Sequence, residues 1–194
     1  MSSLLFFAYL IGSIPFGLLL TRMAGLGDIR KVGSGNIGAT NVMRTGNKKL
    51  GIATLLLDAG KGYAAVWLGI YGDAPDNILY LAALCAILGH VFPIWLMFRG
   101  GKGVATAFGT LFALNPSLGV IAGGAWLVTF YATRYASVAS IACFWVMAIL
   151  PIGLRDWLGF GFCALLAALI TWTHRGNIRR LREGTEQGFR KKES

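Results

Sequence analysis

From Leu4 to Leu20 the chain is almost pure hydrocarbon, and from Ile52 to Tyr71 it is so again. Runs of ~18 or more apolar residues are long enough to cross a bilayer. In hydrocarbon every backbone N–H and C=O must be satisfied within the protein, so such runs span as helices. Composition agrees: 56% of the 194 residues are hydrophobic and 13% are charged, against about 25% charged in a soluble domain. The sequence therefore predicts an all-α, polytopic integral membrane protein. A single membrane domain fills 1–194, with a core over 1–187 and a disordered tail over 188–194.

Span one is expected over about Leu4–Arg22 with Pro15 inside it, span two over Gly51–Tyr71 and span three over Ile78–Phe98. Val104 to Thr133 is too long for one plain span and short for two. Asn115-Pro116 cuts it, because the residue before a proline resists helix. Charge arbitrates. Counted as one span, the segment splits the basic loops between the two faces. Counted as two, Val104–Leu114 and Leu118–Thr133, it leaves Arg155 as the only Lys or Arg in the outer loops. With Val138–Ile152 and Trp157–Thr173 the total is seven transmembrane helices. Cytoplasmic loops carry the excess of Lys and Arg, so the N-terminus is expected outside and the C-terminus in the cytoplasm.

The net charge of +10 raises nucleic-acid binding, but the cations sit in loops between spans. That distribution suits the cytoplasmic membrane face and anionic ligands there, and no nucleic-acid partner is expected. Cys85, Cys143 and Cys163 lie in apolar segments without metal-like spacing and read as packing residues, with no disulfide. No basic residue precedes the first apolar run, so a cleaved signal peptide is not expected.

Between the first two spans lies Gly33-Ser34-Gly35-Asn36-Ile37-Gly38-Ala39-Thr40-Asn41, with Arg44 just beyond. Glycines let backbone N–H groups approach an anion. Ser34, Thr40 and Asn41 can donate to it, and Arg44 can fork onto a phosphate. The alternative is a flexible polar connector. Gly33, Gly35 and Gly38 also satisfy G-x-G-x-x-G, but a dinucleotide site needs a preceding strand in a soluble βαβ unit, and here a lipid-soluble span precedes.

A second cluster, Gly89-His90-Val91-Phe92-Pro93 and then Arg99-Gly100-Gly101-Lys102-Gly103-Val104-Ala105-Thr106, sets glycines and a lysine directly before a helix. It joins a backbone nest to a helix's positive end and lacks the Walker spacing. The third is His174-Arg175-Gly176-Asn177, leading to Gly184-Thr185-Glu186. Within span two, Asp58 and Lys61 fall on one helical face; they pair as a structural bridge, the reading their spacing favours, or one of them faces a polar site. No zinc-ligand set, carboxylate pair or G-x-S-x-G elbow is present, so no metal and no cofactor are expected, and an activated substrate must bring the reactivity. A small anion or phosphate-ester transporter is the rival reading. The absence of a paired pseudo-repeat of broken helices weighs against it.

These three clusters closely resemble the three motifs of the acyl-phosphate:glycerol-3-phosphate acyltransferases, the bacterial PlsY family, over Ser13 through Glu186. The resemblance implies seven spans in the bacterial cytoplasmic (inner) membrane and a site on the cytoplasmic side. It implies transfer of a fatty acyl group from acyl phosphate to the 1-position of glycerol 3-phosphate, giving lysophosphatidic acid and inorganic phosphate, the first step of bacterial phospholipid synthesis. The partners implied are fatty acyl phosphate, glycerol 3-phosphate and membrane lipid, and a monomer is expected. Carried onto this chain, it assigns Ser34, Arg44 and Lys102 to the phosphate and reacting oxygens. Gly35, Asn36, Gly38, Thr40, Asn41, Gly100, Gly101, Gly103 and Thr106 would bind the acyl phosphate. His174 and Asn177 would orient glycerol 3-phosphate, and Glu186 would brace the tail. The hydroxyl proton would go to a substrate phosphate or to His174.

Overall fold

The computed structural model describes residues 2–153 and 155–189. The described residues form ten α-helices and no strand. They divide into two compact units between Pro116 and Ser117.

The first unit holds α1 (Ser2–Gly12), α2 (Phe16–Met23), α3 (Ala39–Met43), α4 (Lys48–Tyr71), α5 (Asp76–Val91) and α6 (Val104–Leu114), with 3-10 turns at Ile29–Lys31 and Ile94–Leu96. Helix α4 is its centre and packs against α1, α2, α3, α5 and α6. Its approach to α6 is close enough to exclude side chains. A Cβ on Gly109 would overlap the Ala59 carbonyl, and one on Gly62 would overlap the Thr106 carbonyl. Small residues permit this approach where lipid supplies no hydrophobic drive between helices.

The two largest departures from the expected spans both fall at prolines. The first apolar run breaks into α1 and α2 over Ser13–Pro15. The Ile14 carbonyl at the break accepts from Lys61 Nζ at 2.6 Å, so a neighbouring helix satisfies the interrupted backbone. The third run ends its helix at Val91 rather than Phe98. Pro93 has no N–H and disfavours helical backbone at Phe92, and the chain then turns through Met97 and Phe98 at positive φ, 51° and 60°.

The second unit holds α7 from Ser117 onward (Pro116–Thr133), α8 (Ala136–Gly153), α9 (Trp157–Thr173) and α10 (Arg175–Arg182). Helix α8 packs along α9, and α10 turns 57° away from α9 at His174. The expected tail begins with Gly188 and Phe189. The Phe189 N–H donates to the Arg134 carbonyl at 2.9 Å, and its ring meets Phe130 edge-on. Residues 190–194 lie outside the described residues.

By length and apolar composition, three described segments qualify outright as membrane spans: Ser2–Met23 with its break, Asp76–Leu96 and Ala136–Gly153. A fourth qualifies if α9 and α10 count as one bent span. Helix α6 is apolar but shorter.

Candidate functional site

The first basic loop is built inward from one amide. Asn41 is 1% exposed. Its Nδ2 donates to the carbonyls of Ile29 (3.1 Å), Val32 (2.9 Å) and Asn36 (2.8 Å), and its Oδ1 accepts the Ser34 N–H at 2.9 Å. Gly33 and Gly35 take φ of 56° and 70°, a left-handed backbone that glycine enters without penalty, and so carry the chain around that amide. Asn36 Oδ1 accepts the Gly38 N–H at 2.8 Å just before α3. The loop is thus an ordered shell, with Ser34 on its exposed surface and Thr40 half-buried. Asn41, expected among the ligand-binding groups, sits beneath that surface with its amide spent on the loop.

Arg44 follows α3 and folds back. Its Cδ lies 3.5 Å from the position a Cβ would take on Gly33, so its side chain runs beside the Gly33–Ser34 turn. The loop's one acid is consumed nearby. Asp28 accepts Arg30 Nη2 at 2.6 Å and Nε at 2.9 Å, with Arg22 at 3.3 Å. The Arg30 guanidinium holds the Asp28 carboxyl far below the ordinary carboxylate range.

The second loop hangs from the end of α5. Gly100 N–H donates to the Val91 carbonyl and Gly101 N–H to the His90 carbonyl, both at 3.0 Å. Those two amides hold the turn in place. Gly103, at φ 84°, is the N-cap residue of α6, and Lys102 stands directly before it. A helix start leaves N–H groups without intrahelical partners, which favour an anion. Thr106, in the first turn, is fully buried, and its Oγ1 has no hydrogen-bond partner. Leu96, in the same loop, packs against Leu18, Ile29, Ile37 and Val42. Both basic loops therefore share one hydrophobic cluster.

Beneath the second loop lies a buried ionic cluster. Lys61 Nζ is 2.7 Å from Asp58 Oδ1, and His90 Nδ1 is 3.6 Å from the same oxygen. All three residues are less than 5% exposed. Neither Asp58 Oδ1 nor His90 Nδ1 takes a hydrogen bond of good geometry; for Asp58 the Lys61 ammonium supplies the compensation.

In the second unit, His174 joins α9 to α10 and is buried. Its Nδ1 lies 2.8 Å from the Ile170 carbonyl. A carbonyl only accepts, so Nδ1 carries a proton there, and in the neutral ring Nε2 is the acceptor nitrogen. Three residues on, Asn177 Nδ2 donates to Glu186 Oε1 at 2.5 Å. Ser137 Oγ donates to the same oxygen at 3.1 Å, and Arg180 Nε reaches Oε2 at 2.7 Å. Burial alone would raise the Glu186 carboxyl, but the bonds from Asn177, Arg180 and Ser137 outweigh it and hold the group below its ordinary value.

Sequence reasoning missed Ser137 and gave His90 and Arg180 no role. Ser137 opens an apolar helix and reads as a packing residue. His90 stands beside a glycine, thirty-two residues after its carboxylate partner, and helical periodicity does not report pairing between helices. Among the described residues, no three of His, Cys, Asp or Glu are grouped to hold a metal ion.

The family model described as "Glycerol-3-phosphate acyltransferase" matches residues 2–184. A glycerol-3-phosphate acyltransferase of Sinorhizobium fredii is 55% identical over 184 residues, covering 93% of this chain and 88% of that protein. The one of Brucella canis is 47% identical, covering 94% and 90%. Two solved structures are similar throughout, both of PlsY, an integral membrane glycerol 3-phosphate acyltransferase. Its glycerol 3-phosphate form is 39% identical with a TM-score of 0.91, and its lysophosphatidic acid form 37% with 0.88; each covers 96% of this chain and 94% of that one.

Proposed function

The chain belongs to the glycerol-3-phosphate acyltransferase family, and on that premise we propose that its acyl donor is a fatty acyl phosphate and its acceptor the 1-hydroxyl of glycerol 3-phosphate. The products are lysophosphatidic acid and inorganic phosphate, the first step of bacterial phospholipid synthesis. What supports this reading is that the loop carrying Ser34 and Arg44 and the loop leading to Lys102 share one hydrophobic cluster, through Leu96 packed against Leu18, Ile29, Ile37 and Val42.

An acyl phosphate is a mixed anhydride with a good leaving group, so no covalent enzyme intermediate is required. The protein's work is to orient the attacking hydroxyl and to stabilise charge on the acyl oxygen and departing phosphate. Lys102 and the α6 N–H groups suit the phosphate. Arg44, a planar fork beside Ser34, suits the reacting oxygens. Asn177, fixed by Glu186, and His174, fixed by Ile170, orient glycerol 3-phosphate. The hydroxyl proton goes to a substrate phosphate oxygen or to His174 Nε2.

The same reading gives seven crossings, α1–α2 counted as one with α4, α5, α6, α7, α8 and α9, in the bacterial cytoplasmic membrane. The N-terminus is outside, and the basic loops and C-terminus face the cytoplasm. An eleven-residue α6 is only ~16 Å long, which suits a thinned region beside a site. Purified protein given palmitoyl phosphate should release phosphate only when glycerol 3-phosphate is present. Release that ignores glycerol 3-phosphate, or none at all, overturns the proposal.

A further inference from the structure

The Asp58–Lys61–His90 cluster is more elaborate than packing requires. A buried ion pair is weak evidence for stability, since apolar residues of similar volume often serve as well or better. Its use lies in what it fixes, and it joins the break in the first span to α4 and α5. Lys61 Nζ reaches the Ile14 carbonyl at the break in the first span, at 2.6 Å, and stands 5.6 Å from the Phe16 ring centroid. Gly62, the next residue, lies against the Thr106 carbonyl in the first turn of α6. His90 closes the other side. Its carbonyl holds the Gly101 N–H at 3.0 Å, and its ring so abuts Gly101 that a Cβ there would overlap Nε2. The turn before Lys102 is thus gripped twice by one residue, by backbone and by ring, and that ring faces the Asp58 carboxylate at 3.6 Å.

We propose that His90, held against Asp58 and Lys61, is a positioning residue for Lys102: the buried cluster sets the Gly100–Gly101 turn, and through it the place of the ammonium and of the α6 start. None of the three needs to touch substrate. The inference rests on the role given to Lys102 above and deepens it.

A role exercised through Lys102 has a signature that general stabilisation lacks. Removing the brace should matter only while Lys102 is present. Turnover is measured on detergent-purified full-length protein for wild type, His90→Ala, Lys102→Ala and the double variant, each shown folded by thermal unfolding. A misplaced catalytic contact typically lowers rate by about a hundredfold, and His90→Ala should lower kcat on that order with little change in KM for glycerol 3-phosphate. In the Lys102→Ala background the same substitution should change kcat by less than roughly threefold, the non-additivity expected of residues acting as a unit. Should His90→Ala fail to fold, His90→Gln carries the comparison, because it keeps a polar group against Gly101 without the ring. Asp58→Asn with Lys61→Met removes the pair without stranding a buried charge, and should show the same loss. Losses that multiply, or wild-type kcat in His90→Ala, overturn the brace and leave the role of Lys102 standing. Wild-type kcat in Lys102→Ala overturns that role and the brace together.

Discussion

Asn41 Oδ1 accepts the backbone N–H of Ser34 at 2.9 Å across seven residues of chain. The same amide holds three carbonyls through its nitrogen, so one side chain sets the shape of the whole glycine loop. This separates two roles for Asn41. A ligand-facing amide that donates to the bound anion would lose turnover as Asp, by charge repulsion, without losing stability. In the scaffold, Asp keeps the acceptor for Ser34 but sets a carboxylate oxygen against the carbonyls of Ile29, Val32 and Asn36. Leaving buried polar groups unsatisfied costs about 1–3 kcal/mol. Asn41→Asp should therefore lose as much thermal stability and turnover as Asn41→Ala, or more. Wild-type melting with turnover lost in Asn41→Asp would move Asn41 to the loop's ligand side.

Arg44 and Lys102 are expected to act on groups whose charge shifts during transfer. Loss of such a contact typically costs about 2.7–4 kcal/mol, a hundred- to thousandfold in rate. Lys102→Ala should lower kcat on that scale. Arg44→Lys should fall short of wild type, because an ammonium cannot fork. Full turnover in Arg44→Lys would make that arginine a membrane-surface charge.

Glu186 carries a pH dependence of definite sign. Its carboxyl is held below its ordinary value of 4.5 by Asn177, Arg180 and Ser137 against the effect of burial. A depressed folded-state value means the stabilisation is fully present above pH 4.5 and is lost as pH falls through the folded-state value. Glu186→Gln should be less stable than wild type at neutral pH, and the gap should narrow in acid below 4.5. Melting both proteins between neutral and acid pH checks it. A gap constant with pH would show that shape, not charge, holds Asn177.

Topology is testable by single-cysteine labelling in a Cys-free background. Cysteines at Ser34 and Thr185 should label from the cytoplasmic side, and one at Asp73 from outside. A residue 185 that labels from outside contradicts the seven-span arrangement.

The elements written in local chemistry were legible in the sequence. Helix α6 ends at Leu114 and α7 begins at Pro116, because Asn115-Pro116 is a backbone rule visible in two letters. Helix α9 spans Trp157–Thr173 as expected, with Asp156 accepting the Gly159 N–H at 2.8 Å at its start. The Pro93 stop was equally local and was overrun only because the apolar run continues past it. Relations between elements were not legible. Asn41 read as a donor to an anion because nothing in its neighbours says its amide points inward. Asp58 and Lys61 share a helix face and could be paired by spacing, whereas His90, their third member, comes from another helix. Ser137 meets Glu186 across forty-nine residues, beyond any periodicity.

The identity of the acyl donor is tested most directly by product stoichiometry. Purified protein in EDTA receives palmitoyl phosphate, with and without glycerol 3-phosphate, and in a parallel reaction an acyl thioester replaces the phosphate donor. The expected result is one phosphate released per lysophosphatidic acid formed, wholly dependent on glycerol 3-phosphate, with no product from the thioester. Product from the thioester with none from palmitoyl phosphate would contradict the proposed chemistry.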